Sequence, residues 1–338
     1  MTDYQNLKLI ATSSPHVRGN ETTRSLMLDV IIALIPALAI GVYFSGPRAL
    51  ALTIVSILGC VFFEWLYRKV MKKPQSIGDL SAVVTGMLLA FVCPVMMPYW
   101  MILVGDFFAI VVVKQLFGGI GMNFINPALG GRAVLLGSSA GVMTTWAAPG
   151  SYAPLFGSTA DVVTAATPMS YLHANNLADL KATYSVADMF LGKIGGSVGE
   201  ISALMLIIGG IYLIVRKVIT FHIPVSYIAT VAVLTLVFPR GNSPVEWMLY
   251  NVFGGGLMLG AIFMATDYVT SPMTKKGQVI FGIGCGIFTV LIRYFGSYNE
   301  GVCYSIMVMN LLVALIDKNV KPTRFGSVKS AKKEAAAK

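Results

Sequence analysis

The chain has 338 residues, 56% of them apolar and only 12% charged. Soluble domains carry about 25% charged residues, so the deficit excludes an ordinary water-facing surface and points to a protein that crosses a bilayer many times. The net charge of +10 is therefore no sign of nucleic-acid binding, and its meaning lies in where the Lys and Arg fall.

The first 27 residues are polar, of mixed charge and unlike a signal peptide. A bilayer-spanning helix needs about 20 mostly apolar residues. Ten segments approach that length: 28–44, 49–67, 80–95, 99–113, 127–146, 201–215, 223–238, 247–265, 279–292 and 302–316. The spacing predicts a cytoplasmic segment 1–27, a five-helix half 28–146, a polar loop 147–198, a second five-helix half 199–317 and a basic tail 318–338. A loop of that length is uncommon unless it has a function.

With the N-terminus inside, 20 Lys and Arg, including Lys114, Arg132 and the tail, fall on the cytoplasmic side and 5 on the other. The positive-inside rule then predicts cytoplasmic termini and an extracytoplasmic loop. An odd number of spans per half means that, if the halves are related, the second is inverted. Thr85-Gly86-Met87-Leu88-Leu89-Ala90-Phe91 resembles Gly255-Gly256-Leu257-Met258-Leu259-Gly260-Ala261, and binding sites in inverted repeats lie between halves, where helices are broken.

Four cysteines (Cys60, Cys93, Cys285, Cys303) lie far apart in apolar runs with no CxxC pair, so this chain alone offers no zinc or iron–sulfur site. They read as small buried hydrophobes, the alternative being a thiolate shared with another chain. His16, His173 and His222 are isolated, so no triad or metal cluster can be drawn. Asn126-Pro127 reads as an N-cap followed by proline at the first helical position. Such a start is either a cytoplasmic re-entry turn or a helix end aimed at a ligand. Among acidic residues, Asp106 lies near the middle of a span and is a candidate ion-sensitive position. Asp267 ends a helix near the cytoplasmic face, where it caps a turn, pairs with Lys275 or contacts a cation or flavin. Glu64 and Glu300 read as interfacial.

Within the loop, Thr164-Ala165-Ala166-Thr167-Pro168 offers small residues and an extended backbone before proline. By itself this is a turn. A threonine hydroxyl is a poor nucleophile unless activated, so any modification at Thr167 needs a separate enzyme.

The pattern Asp161-x-x-Thr164-x-Ala166-Thr167-Pro168 resembles the flavin-attachment motif of membrane subunits of the Rnf and Na⁺-translocating NADH:quinone oxidoreductase complexes. One departure is Val162, where glycine commonly follows the aspartate. Further resemblance to the Rnf D-type subunit lies in Ser14-Pro15-His16, Lys114-Gln115-Leu116-Phe117-Gly118-Gly119, Asn126-Pro127-Ala128, Phe221-His222-Ile223-Pro224, Thr266-Asp267 and Arg293-Tyr294-Phe295-Gly296. It runs from about Ser13 to Gly326, and the short N-terminus favours the Rnf type over the quinone-reductase type.

The resemblance implies an all-α polytopic membrane protein with ten transmembrane helices in two inverted five-helix repeats, similar to urea transporters. It implies FMN joined to Thr167 by a phosphoester, installed from FAD by a flavin transferase with a divalent metal. A second, non-covalent flavin, riboflavin, is implied among the spans, with Asn126 and Asp267 as candidate contacts. It further implies electron relay between ferredoxin and NAD⁺ coupled to Na⁺ or H⁺ translocation. The implied partners are subunits A, B, C, E and G, above all the FMN-bearing G subunit, in a prokaryotic cytoplasmic membrane. The chain has no GxGxxG fingerprint and no ferredoxin-type cysteine run, so NAD⁺ and iron–sulfur chemistry belong to other subunits. The competing readings are a channel or transporter of the same architecture and a structural scaffold.

Overall fold

The computed structural model describes residues 21–157, 162–241, 243–298 and 300–322. Helix α1 (Thr23–Ser45) begins at a capping box between Thr22 and Ser25, earlier than the apolar run alone suggests, and stops at Gly46. Pro47 then starts α2 (Pro47–Val70) at the position where a missing N–H costs nothing. Rows of large apolar side chains on these helices stay exposed, such as Leu50, Ile54, Leu58 and Phe62 on α2. Their four-residue spacing puts them on one face, as expected where the surrounding medium is lipid.

Helix α3 (Ser81–Phe91) has 11 residues and is followed by α4 (Tyr99–Phe107), which continues as a π-helical stretch, Phe108–Gln115. Helix α5 (Pro127–Ser138) has 12 residues, with the short α6 (Ala140–Met143) behind it. The expected spans 80–95 and 127–146 are thus much shorter helices. At 1.5 Å per residue, α3 covers about 16 Å, roughly half of a hydrocarbon core. The Gly199 amide donates to the Phe91 carbonyl at the end of α3 (2.9 Å), and Arg48 holds the turn that follows. Its guanidinium donates to the carbonyls of Val95 (2.9 Å) and Met97 (3.2 Å), and to that of Pro154 (2.7 Å).

After the loop come α10 (Ala203–Val215), α11 (His222–Val237), α12 (Pro244–Phe253), α14 (Lys275–Phe295) and α15 (Val302–Asn319). Between α12 and α14 lies one turn of helix, α13 (Leu257–Leu259), which runs into a second π-helical stretch, Gly260–Met264. The expected span 247–265 is therefore bent by 60°. The bend falls at Gly255 and Gly256, with φ of 65° and 67°, angles that glycine adopts without a Cβ penalty. Arg293 serves this break as Arg48 serves the first, donating to the carbonyls of Asn251 (2.5 Å), Gly254 (3.0 Å) and Gly255 (3.3 Å).

By length and composition α1, α2, α14 and α15 can cross a membrane alone, and the bent α12–α13 pair raises the number to five. Helix α2 packs on α3 and α4, and α11 packs on α12 and α14. Across the halves α1 meets α10, and α5 meets α15. One apolar core runs through both halves. At the α1–α10 crossing a Cβ on Gly209 would lie 2.2 Å from the Ala33 carbonyl oxygen, so only glycine allows that approach.

The loop forms its own small core from α7 (Pro168–His173), α8 (Leu177–Thr183) and α9 (Val186–Leu191). Met169, Leu172, Leu180, Tyr184 and Met189 pack there against Trp247 and Tyr250 of α12. A single antiparallel bridge, Ala147 to Thr164, ties the loop's first strand-like segment back on itself.

Candidate functional site

Two places hold the residues singled out from sequence. The first is a cavity of about 330 Å³ between the halves, lined on the first half by Ser81, Thr85, Lys114, Asn123 and Asn126, and on the second by Phe263, Thr266 and Asp267. Asn126 and Asp267, 141 positions apart, thus share one wall. Asn126 is the N-cap of α5, as its sequence predicts. Its Oδ1 accepts from the Ala128 and Leu129 amides (3.0 and 3.4 Å), and its Nδ2 donates to the Met264 carbonyl (3.2 Å). Asp267 accepts from Thr270 Oγ1 at 3.1 Å, which favours the turn-capping alternative over a pair with Lys275. Desolvation in the wall pushes its carboxyl up from the ordinary range, and the nearby Lys114 ammonium opposes this. Apolar walls with a few convergent polar groups suit a planar organic ligand.

The second place is the loop around Thr167. The residue has extended backbone (φ −74°, ψ 156°) and is the N-cap of α7, with Pro168 at the first helical position. Its Oγ1 accepts from the Ser170 amide at 3.4 Å, a long bond. The small flanking residues do not leave Thr167 itself accessible. Capping turns the side chain over α7, and Pro168 and Met169 anchor the segment in the loop core, so Thr167 is only 7% exposed. Thr164 and Ala166 beside it are exposed. Asp161, the first residue of the motif, lies outside the described residues. A residue not singled out from sequence, Tyr184, donates from its hydroxyl to the Ala166 carbonyl at 3.1 Å and so holds the peptide just before Thr167. Burial raises the pKa of that phenol. Nothing local marks a tyrosine 17 positions downstream for this task.

Asp106 joins neither place. It is fully buried on α4, with Oδ1 accepting from Ser56 Oγ (2.6 Å) and Cys60 Sγ (3.2 Å), and with Oδ2 unpartnered against Gly59. All four cysteines are buried, as small apolar side chains are.

Two ionic groups depart from the sequence reading. Glu64 is fully buried rather than interfacial and pairs with Lys114, Nζ to Oε2, at 2.9 Å. Lys114 also donates to Ser81 Oγ (2.6 Å), and Gln115 donates to Glu64 Oε1 (3.0 Å). Arg132 is buried as well, paired with Glu200 and Glu300. Lys114 and Arg132 are therefore no part of a solvated cytoplasmic charge. Arg48 and Arg293, counted on the opposite side, are buried too, so the bias behind the expected topology stands. The available signal was a lone Lys or Arg inside an apolar run, as in Ile110-Val111-Val112-Val113-Lys114.

The sequence model of the NQR2, RnfD, RnfE family matches residues 10–326. The chain is 47% identical over 333 residues to the D-type subunit of the Na(+)-translocating ferredoxin:NAD(+) oxidoreductase complex of Acetobacterium woodii, covering 98% of this chain and 99% of that protein. It is 43% identical over 336 residues to the D-type subunit of the proton-translocating ferredoxin:NAD(+) oxidoreductase complex of Clostridium ljungdahlii, covering 97% and 99%. With the D-type subunit of the ion-translocating oxidoreductase complex of Shewanella amazonensis it shares 36% identity over 340 residues, covering 93% and 97%. The match to the family spans nearly the whole chain, and the protein belongs to the NQR2, RnfD, RnfE family.

Proposed function

We propose that this protein is the flavin-carrying membrane subunit of an ion-translocating ferredoxin:NAD⁺ oxidoreductase complex, with FMN joined to Thr167 through a phosphoester. The observation that carries the reading is the Thr164-x-Ala166-Thr167-Pro168 segment, set on a folded loop in a chain of this family. Thr167 fits the acceptor role in two respects. Its backbone is extended, and its oxygen is held by one long amide bond next to exposed Thr164 and Ala166. Bound there, the flavin would supply one- and two-electron chemistry. The chain's part is to hold it: Pro168 and Met169 anchor the acceptor, and Tyr184 fixes the preceding carbonyl.

A second flavin, riboflavin, fits the cavity between the halves. Asn126 and Asp267 would offer it polar contacts, and Lys114, paired with Glu64, lines the same wall. Bound flavins would supply the electron relay that this subunit shares with the other subunits, above all the flavin-bearing G subunit. Ten membrane passages in two inverted halves agree with the matching packing of α2 on α3 and α4, and of α11 on α12 and α14. They agree also with an arginine at each helix break. Cytoplasmic termini and an extracytoplasmic loop follow from the basic-residue bias. The named relatives differ in coupling ion, so this reading leaves Na⁺ and H⁺ equal.

Peptide mass spectrometry of the 147–198 loop, on protein produced with its flavin transferase, tests the reading. An FMN adduct on the Thr167 peptide is the expected result. An unmodified Thr167 peptide from active complex would overturn it and favour a channel-like or scaffold role.

A further inference from the structure

Helices α11 and α14 leave a groove between them at the end nearest the loop core. Leu234 and Val237 of α11, with Phe238 just after it, line one wall, and Ile287, Leu291 and Phe295 line the other at four-residue intervals. Most of these side chains are exposed, Val237, Phe238 and Phe295 above all. The groove holds about 780 Å³, more than twice the volume of the cavity beside Asn126. Helix α14 is long and apolar enough to cross a membrane, so exposed apolar side chains along it face lipid.

Among the described residues that line the groove, the charged one is Arg240. It closes the loop-side end, with its guanidinium 4.4 Å from the Tyr294 ring centre and 5.2 Å from that of Phe295. Stacking uses the face of a guanidinium and leaves its five N–H donors, which point outward in the plane. The polar atom beneath it is already committed: the Tyr294 hydroxyl donates to the Phe238 carbonyl (2.9 Å) and accepts from Trp247 Nε1 (2.7 Å). Among the described residues no carboxylate pairs with Arg240, and Glu246, six positions on, is taken by Lys181.

Two chemistries therefore meet in one place. From Ile287 to Phe295 an apolar channel runs about 12 Å along α14, and at its end stands a cation with unused donors. Trp247 and Tyr294 beside the cation are the side chains that favour headgroup depth in a bilayer. A fatty chain ending in a phosphate diester matches this sequence of surfaces, and a guanidinium can meet two phosphate oxygens at once.

We propose that the groove binds an anionic phospholipid, with an acyl chain between α11 and α14 and the phosphate on Arg240. With no carboxylate among the described residues to offset it, the guanidinium favours a headgroup of net negative charge over a zwitterionic one. Arg240 and His173 of α7 line one small cavity, so the bound headgroup lies beside the helix that Thr167 caps. The site needs no flavin.

Photolabelling of the intact complex tests the proposal. The complex is placed in phosphatidylcholine vesicles doped with phosphatidylglycerol that carries a diazirine on an acyl chain, and adducts are mapped by peptide mass spectrometry. Adducts on the 234–240 and 287–295 peptides are expected, several-fold above those left by the same probe built on phosphatidylcholine. Equal labelling by both probes elsewhere on the complex reports general lipid contact. Arg240→Ala should cut groove labelling about tenfold, because a charge-assisted pair is lost, and Arg240→Lys should keep part of it. Ile287→Trp fills the groove without touching the charge and should cut labelling as well. Equal groove labelling by the two probes overturns the proposal, as does full labelling in Arg240→Ala or in Ile287→Trp. Groove peptides that stay unlabelled while the rest of the complex is labelled mean that another subunit covers them, which overturns it too.

Discussion

The loop around Thr167 and the cavity beside Asn126 are built on opposite plans. The loop site is local: acceptor, proline and helix cap lie within a few residues, and the surrounding core serves mainly to hold them still. The cavity is assembled from segments far apart in the chain, and apart from Asn126, marked by Pro127 as a helix start, its polar residues are joined by packing rather than by sequence. A covalent cofactor needs only a recognisable acceptor peptide. A non-covalent one needs shape, and shape comes from packing. Perturbing one site should therefore leave the other intact.

The largest expected effect is at the loop. Thr167→Ala should remove all covalent flavin fluorescence from the denatured band, while Thr164→Ala keeps much of it. Full fluorescence in the Thr167 variant would end the acceptor assignment. Next is the ion pair on the cavity wall. Lys114→Ala leaves the Glu64 carboxylate buried without its ammonium and should cost about 3–5 kcal/mol of stability. Thermal unfolding of the purified complex would show it, and pairing Lys114→Met with Glu64→Leu should recover most of the loss. A double variant as unstable as the single one would mean that the pair does not act as a unit.

A smaller effect is expected from Asn126→Ala, which removes the α5 cap and the Met264 contact at a cost of about 1 kcal/mol. Non-covalent flavin content should drop while in-gel fluorescence stays. Equal loss of both would show that the two sites are not independent. The smallest effect belongs to Asp106→Asn. The amide oxygen can still accept from Ser56 and Cys60, and loss of the buried charge offsets the unpaired amide group, so little net change in stability is expected. Unchanged dependence on Na⁺ and pH in that variant would remove Asp106 from the ion-sensitive positions.

What the sequence made legible follows the same division. Asn126-Pro127 announced a helix start, and the helix starts there. The apolar runs of α1, α2, α14 and α15 announced long helices, and they are long. The halting of α3 after 11 residues was not legible, because its last carbonyl, on Phe91, is satisfied by the Gly199 amide more than 100 positions later, and those of the following turn by Arg48. The burial of Glu64 was not legible, since it lies one turn before Arg68 and Lys69, where a solvated side chain is equally plausible, whereas Lys114, a lone Lys closing an apolar run, carried a signal. Thr167 was found by its neighbours in sequence, but its low exposure is a product of capping and loop packing.

The π-helical stretch Phe108–Gln115 has a consequence for how the chain is phased. A π turn accommodates one residue more than an α turn, so it rotates everything after it relative to everything before it. Rewound as α-helix with every residue kept, the stretch would turn Lys114 by about 100° relative to Asp106. The ammonium that now meets Glu64 would then point elsewhere, and the Gly118-Gly119 turn behind it would start from the wrong side of the helix. The extra residue works as a key cut into α4: it lets one rigid rod present Asp106 to its own neighbours while delivering Lys114 to the cavity wall.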